Sequence, residues 1–228
     1  MSRFKDEAIF MTKNAFTQAA SRGWTQPYKK PAAYYHPADG LTVEVDPRWQ
    51  SVAGFVVNPS PGILIYSAFF QKCLKTHLKI GTKTAAIRIF NQQVERYRED
   101  VRFPISFIEE VDSKAPSFYA ELHTVPEYID LLLTTVEDRI LPNYDMSGDL
   151  AFLRSLPDEY QSYNPRYFWD AQAYTVSQIL KGNKDVTDQL LASQKVSGLS
   201  RDYIEQTATL GRHADDIIAA ANAIENSA

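Results

Sequence analysis

The sequence predicts an α+β fold: a mostly antiparallel sheet with packed helices, followed by an all-helical C-terminal extension. Three observations lead there. Residues 3–22 repeat apolar side chains at helical spacing, residues 33–58 alternate apolar and polar around an Asp39-Gly40 turn, and no Val- or Ile-rich alternating run recurs after Pro157. The expected division is an α+β domain over residues 1–156 and a helical extension over 157–228. At 228 residues the chain is long enough to bury a core without staples. Its 44% hydrophobic and 23% charged residues mark a globular chain, not a disordered one.

The elements follow in order. In 3–22, Phe4, Ala8, Met11, Ala15, Phe16 and Ala19 share one stripe, with Ser2 as a cap and Gly23 as a stop. Ala33–Pro37 and Leu41–Val45 flank Ala38-Asp39-Gly40, an Asp-Gly hairpin signal. In the second run Leu41, Val43 and Val45 alternate with Thr42, Glu44 and Asp46, which predicts one apolar and one solvated face. A further strand spans 50–58 and is stopped by Asn58-Pro-Ser-Pro-Gly62. Residues 62–80 read as a short strand and then a helix beginning near Ser67. Residues 83–100 read as a helix on the stripe Ile87, Phe90, Val94 and Tyr97, and 103–111 and 117–122 as strands. Thr124-Val-Pro-Glu127 has the form of a capping box and opens a helix ended by Pro142, with a short helix from Ser147 or Asp149 to Pro157. Beyond the linker, helices start at Asn164-Pro165, Asp185 and Ser200, with stops at Gly182 and Gly198, and the last runs to about Glu225.

Charge is sorted along the chain. Residues 47–94 hold no Asp or Glu but six cations, Arg48, Lys72, Lys75, Lys79, Lys83 and Arg88. Residues 95–160 hold 15 acidic residues against six basic ones, a balance of −9. Such sorting either pairs segment with segment or presents faces of opposite sign to partners. The overall net charge of −4 argues against whole-protein attraction to nucleic acid, while leaving room for a local basic patch.

One cysteine, Cys73, excludes an intramolecular disulfide and a cysteine-based zinc site within one chain. The N-terminus runs from charges straight into an amphipathic pattern, and the longest apolar stretches are far short of a membrane span. A cytoplasmic protein without membrane contact is the resulting expectation.

Catalytic signatures are missing: there is no Gly-x-Ser-x-Gly elbow, no phosphate-binding glycine loop and no His-Glu-x-x-His pair, so no catalytic residue is assigned. Lys72, Lys75 and His77 flank Cys73 and would lower a thiol pKa, but a lone Cys on an apolar helix face is more often core. Cys73 and His77 stand i, i+4, a spacing that lets both touch one ion. Two ligands do not make a site, the segment has no carboxylate, and His36, His123 and His213 would contribute only from afar, so neither metal nor cofactor is expected. The adjacent pairs Glu109-Glu110, Asp158-Glu159 and Asp215-Asp216 point in different directions, and Asp215-Asp216 reads as a solvated helix face. Glu44 and Asp46 share one strand face, where solvent is the simplest relief of their repulsion.

Two candidate surfaces remain. Lys72, Lys75, Lys79 and Lys83 recur at three to four residues and form a candidate anion-binding line, although the wet face of an amphipathic helix is the favoured reading. Tyr160, Tyr163, Arg166, Tyr167 and Trp169, with Phe168 among them, combine residue types that dominate protein interfaces, or else pack the tail on the body.

Phe118-Tyr-Ala-Glu-Leu122, the helix of 128–140, Ile140-Leu-Pro142 and Asp149-Leu-Ala-Phe-Leu153, in that element order, resemble small bacterial proteins of the domain of unknown function 4304 family and, more loosely, immunity proteins of polymorphic toxin systems. The likeness covers residues 1–156 and brings no functional residues. Together with the missing catalytic signatures and the sorted charge, it leads to the expectation of a non-catalytic bacterial protein that acts through protein–protein binding, immunity- or antitoxin-like, with the acidic 95–160 block covering a basic toxin. The alternatives are an enzyme or nucleic-acid-binding protein built on the basic 72–88 segment, and a structural subunit of a larger assembly.

Overall fold

A computed structural model describes residues 3–26, 30–52, 56–58, 61–81, 85–88, 106–107, 118–119, 122–158, 169–192 and 200–227. The fold is α+β, and every strand pair whose register is defined is antiparallel. The strands are β1 (Ala33–Tyr35), β2 (Leu41–Asp46), β3 (Gln50–Val52), β4 (Val56–Asn58), β5 (Gly62–Ser67), β6 (Ile87–Arg88), β7 (Ser106–Phe107) and β8 (Phe118–Tyr119). Four form a sheet in the order β1-β2-β5-β6, and β3-β4 and β7-β8 form two-stranded pairs. The helices are α1 (Arg3–Gln18), α2 (Ala68–Leu78), α3 (Val125–Thr135), α4 (Asp149–Ser155), α5 (Trp169–Leu180), α6 (Val186–Ala192), α7 (Arg201–Arg212) and α8 (Ala214–Glu225). No helix among the described residues is long and apolar enough to cross a membrane.

The chain divides into two compact units. The first comprises Met1–His36, Val43–Leu64 and Ile89–Asn143, the second Pro37–Thr42, Ile65–Arg88 and Tyr144–Ala228.

In the first unit α1 packs on α3. The buried positions of α1, Ala8, Thr12, Ala15 and Phe16, follow the helical period. On α3 the buried side chains are Val125, Tyr128, Ile129, Leu132 and Leu133, followed by Val136 and Ile140 beyond it. Each large apolar side chain buried here contributes about 2 kcal/mol. Polar atoms inside this core are paired: Trp49 Nε1 donates to Thr12 Oγ1 at 2.7 Å, and the Trp49 ring lies 5.4 Å from that of Tyr128. Helix α1 tightens into a 3-10 turn, Ala19–Arg22, that ends at Gly23 with φ 88°, as glycine there permits.

Four expectations are corrected by tertiary context. The 50–58 run is two strands, with Val52 opposite Val56, so it folds back as a hairpin. Gly54 lies in the sequence between them and is a turn signal that hydrophobicity alone overrides. Ile87–Arg88 is strand, not helix: Ala85, Ala86 and Ile87 are buried, and β6 completes the sheet order beside β5. The remainder of the expected 83–100 helix lies outside the described residues. The helix from Val125 does not run unbroken to Ile140, since a π turn takes over at Val136–Ile140 and a 3-10 turn at Leu141–Asn143, where Pro142 has no N–H to continue the ladder. The final helix is two helices, because His213 leaves helical geometry (φ −103°, ψ 22°) just after Gly211. Gly211 cannot carry a side chain, since a Cβ there would lie 2.0 Å from Thr187 Oγ1. Asp215 and Asp216 then favour the new helix start.

The second unit is organised around α5, which packs against α4, α6, α7, α8 and β6. From Ala171 to Leu180 it is buried at every position but Tyr174. Its burial therefore includes Gln172, Thr175, Ser177 and Gln178. Gln172 Nε2 donates to Gln206 Oε1 at 2.9 Å. Ion pairs tie the outer helices: Arg154 to Glu225, Lys184 to Asp215, and Lys181 to Asp158 at 2.7 Å.

Candidate functional site

Helix α2 in the second unit carries four of the residues singled out above, Lys72, Cys73, Lys75 and His77. Its start is held from two sides. Ser67 is its N-cap, and its Oγ accepts the Phe70 N–H at 3.0 Å while donating to Asp149 Oδ1. Asp149 Oδ2 accepts the Phe69 N–H at 2.7 Å. A carboxylate from α4 thus caps α2, where the exposed N–H groups and the helix dipole favour negative charge. Burial nevertheless raises the Asp149 pKa above its ordinary value, against the lowering effect of the bonds from Ser67, Phe69 and Ala68. Gly40 makes room for this arrangement: its φ is 80°, its carbonyl accepts the Ala68 N–H at 2.9 Å, and a Cβ would lie 2.9 Å from Asp149 Oδ2. The Asp39-Gly40 signal was legible as a turn. Its closeness to Asp149 was not, since more than a hundred residues separate them.

The body of α2 buries Phe69, Phe70, Cys73 and Leu74 and exposes Lys72, Lys75 and Lys79. Burial pushes the Cys73 thiol up to about 12, outweighing the pull of Lys72, so Cys73 is a packing residue and not a nucleophile. Lys72, Lys75 and Lys79 have no carboxylate partner among the described residues. The Lys79 Nζ donates to the Thr76 carbonyl at 2.8 Å, and Lys79 ends the helix with φ 56°. Lys83 lies outside the described residues.

At the C-terminal end of α2, His77 stacks on His213, with ring centroids 4.5 Å apart and planes inclined by 28°. His213 Nδ1 lies 3.0 Å from Asp216 Oδ2. One ligand atom from each of His77, His213 and Asp216 falls within 4.8 Å of the others. Burial, and then the neighbouring His213, lower the His77 pKa. The expectation that His213 could approach His77 only from afar is thereby corrected: α7 packs on α2 and delivers His213 at its end. The one sequence trace of this group is the His213-x-x-Asp216 spacing, which puts two polar side chains on one helix face.

In the first unit the expectation for Glu44 is overturned. Glu44 is only 4% exposed. It sits opposite Tyr34 in the β1-β2 register and accepts a hydrogen bond from its phenol, with Lys30 Nζ at 3.8 Å. Burial, then the Glu44 charge, raise the Tyr34 pKa. Asp46, beside it on the same face, accepts the Arg48 N–H at 2.9 Å and faces the Arg48 guanidinium at 3.9 Å, and burial raises its pKa. The repulsion on this face is thus relieved by a phenol and two cations instead of by solvent. Gly62 leaves space for Arg48, whose guanidinium carbon would lie 2.9 Å from a Cβ there.

Of the aromatic group, Tyr160, Tyr163, Arg166, Tyr167 and Phe168 lie outside the described residues, and Trp169 opens α5. Asp215 and Asp216 are exposed, each with a cationic or imidazole neighbour, Lys184 and His213. Comparison of the chain with models of known families, with curated proteins and with solved structures finds no match.

Proposed function

We propose that this protein works by binding another protein and not by catalysis, and that the lysine edge of α2 is the surface offered to an acidic partner. One observation carries the reading: Lys72, Lys75 and Lys79 project from a helix whose other face is packed and whose start is doubly capped, and no described carboxylate neutralises them. Cations held at fixed spacing on a rigid element raise the rate and selectivity of encounter more than they raise affinity. A nucleic-acid reading of the same edge is weaker, because the exposed positions between these lysines include no aromatic ring on which a base could stack.

An immunity-like reading, which rests on the resemblance noted above, would instead use a second set of charges. Glu127 and Asp138, in the first unit, are exposed and have no cationic partner among the described residues. They would suit a basic toxin. A bacterial, cytoplasmic setting belongs to this same reading.

The test is co-expression with the products of adjacent genes, using the wild type and the triple reversal Lys72→Glu, Lys75→Glu, Lys79→Glu. Capture of one partner that weakens in the reversal, and between about 0.05 and 0.5 M salt, is the expected result. Capture lost instead on reversing Glu127 and Asp138 moves the contact to the acidic side. A salt-sensitive shift of nucleic acid that the triple reversal abolishes replaces the proposal with the nucleic-acid reading. A stable homogeneous particle of several chains marks a structural subunit.

A further inference from the structure

We propose that His77, His213 and Asp216 form a binding site for a divalent first-row transition-metal ion, with zinc as the probe. The inference does not depend on the lysine edge, and it departs from the sequence-based expectation that no metal is held.

The geometry supports the site in three ways. First, the donors already converge. His213 Nδ1 and Asp216 Oδ2 are 3.0 Å apart, the spacing of two neighbouring ligands each about 2.1 Å from an octahedral centre. An ion entering this edge replaces the direct imidazole–carboxylate contact, with the ring binding through its unprotonated nitrogen. His77 closes the third corner: its donor atom lies within 4.8 Å of the other two, and about 3.0–3.4 Å is needed around one ion, a movement of up to about 1.8 Å.

Second, the donors stand on regular structure. His77 belongs to the last turn of α2, and His213 and Asp216 flank the first turn of α8, three residues apart on one face.

Third, the donor set has a chemical preference. Two imidazole nitrogens and one carboxylate oxygen suit zinc, nickel, cobalt or copper, whereas calcium and magnesium select all-oxygen sites. The His213 and Asp216 side chains are 42% and 68% exposed, which provides an entry path and leaves the remaining positions to water. Cys73, one turn back on α2, stays in the core and contributes nothing. Lys79 carries a like charge near His77 and sets a limit on affinity.

Isothermal titration of the full chain with zinc chloride tests the site. The expected result is saturable binding of one ion per chain, weakened at least about tenfold in each of His77→Ala, His213→Ala and Asp216→Asn and unchanged in His36→Ala and His123→Ala. Zinc should also raise the unfolding temperature of the wild type, reversibly with a chelator, and leave that of Asp216→Asn where it was. Asp216 is the deciding position if His213→Ala fails to fold, because its exposed carboxylate has little to lose in packing. The proposal is overturned by the absence of saturable binding, or by binding that survives both His77→Ala and Asp216→Asn. Neither result bears on the charge-reversal experiment, so the two readings fail separately.

Discussion

Two carboxylates withdrawn from solvent, one in each unit, are compensated by different physics. Glu44 is met by a phenol and the cation of Lys30, whose own side chain is largely exposed. Asp149 is met by neutral donors, the Ser67 hydroxyl and the Phe69 N–H at the start of α2. Charge compensation has weak directionality and is screened by salt. Hydrogen bonds from a helix terminus demand a fixed position and are barely screened. The first arrangement tolerates small shifts between strands. The second locks α4 to the start of α2 and so sets where the lysine edge and His77 stand.

The sharpest way to break this contrast is Asp149→Ala. It leaves the Ser67 hydroxyl and the Phe69 N–H without their acceptor, and a loss of about 3 kcal/mol in unfolding free energy is expected from urea titration. A loss below about 0.5 kcal/mol would show that α2 does not rely on this cap. Next in size is Gly40→Ala, which combines an unfavourable left-handed φ with a Cβ pressed on Asp149 and should cost about 2 kcal/mol. A normal urea midpoint for this variant would mean that the turn and the carboxylate are not in contact.

Tyr34→Phe sharpens the other side of the comparison. It removes the phenol bond to Glu44 and should cost about 1 kcal/mol, with the loss varying with salt because Lys30 becomes the main counter-charge. The same salt series applied to Asp149→Ala should be flat, and equal salt slopes for the two variants would erase the distinction.

The smallest effect is in pH. Burial holds the folded pKa of Asp149 above its unfolded value, so the folded state binds the proton more readily. Over the window from the raised folded value down to about 3.8, acidification therefore favours the folded state through this group, and the ionised form at neutral pH carries a net cost. Asp158 and Glu225, whose pKa values are lowered by Lys181 and Arg154, act in the opposite sense and lose their contribution as pH falls below the ordinary carboxylate range. Subtracting the urea stabilities of Asp149→Asn from those of the wild type between pH 7 and pH 4 should give a difference that grows in favour of the wild type. A difference that shrinks toward acid would reverse the sign assigned to Asp149.

Local signals were legible where local physics decides. The apolar stripe of α1, the Gly23 stop, the Asp39-Gly40 turn and the change from strand to helix at Ser67 all follow from spacing and backbone preference within a few residues. Glu44 was misjudged for a plain reason: alternation tells which residues share a face, not whether a Tyr and a Lys will cover that face. Ile87–Arg88 was misjudged because a helical stripe and a strand edge are indistinguishable over so few residues. Of the candidate site, the exposure of Lys72, Lys75 and Lys79 was readable from helical spacing. The His77–His213–Asp216 group was not, as 136 residues separate the two histidines along the chain.

By itself the sequence determined the α+β class, the mostly antiparallel pairing, the packing role of Cys73 and the segregation of charge. Only the tertiary structure decided which buried carboxylate meets a cation and which meets a helix terminus, and which histidines come together. Secondary structure follows from preferences that act within a turn or a strand pair. The environment of a polar side chain follows from contacts whose sequence separation no local pattern records.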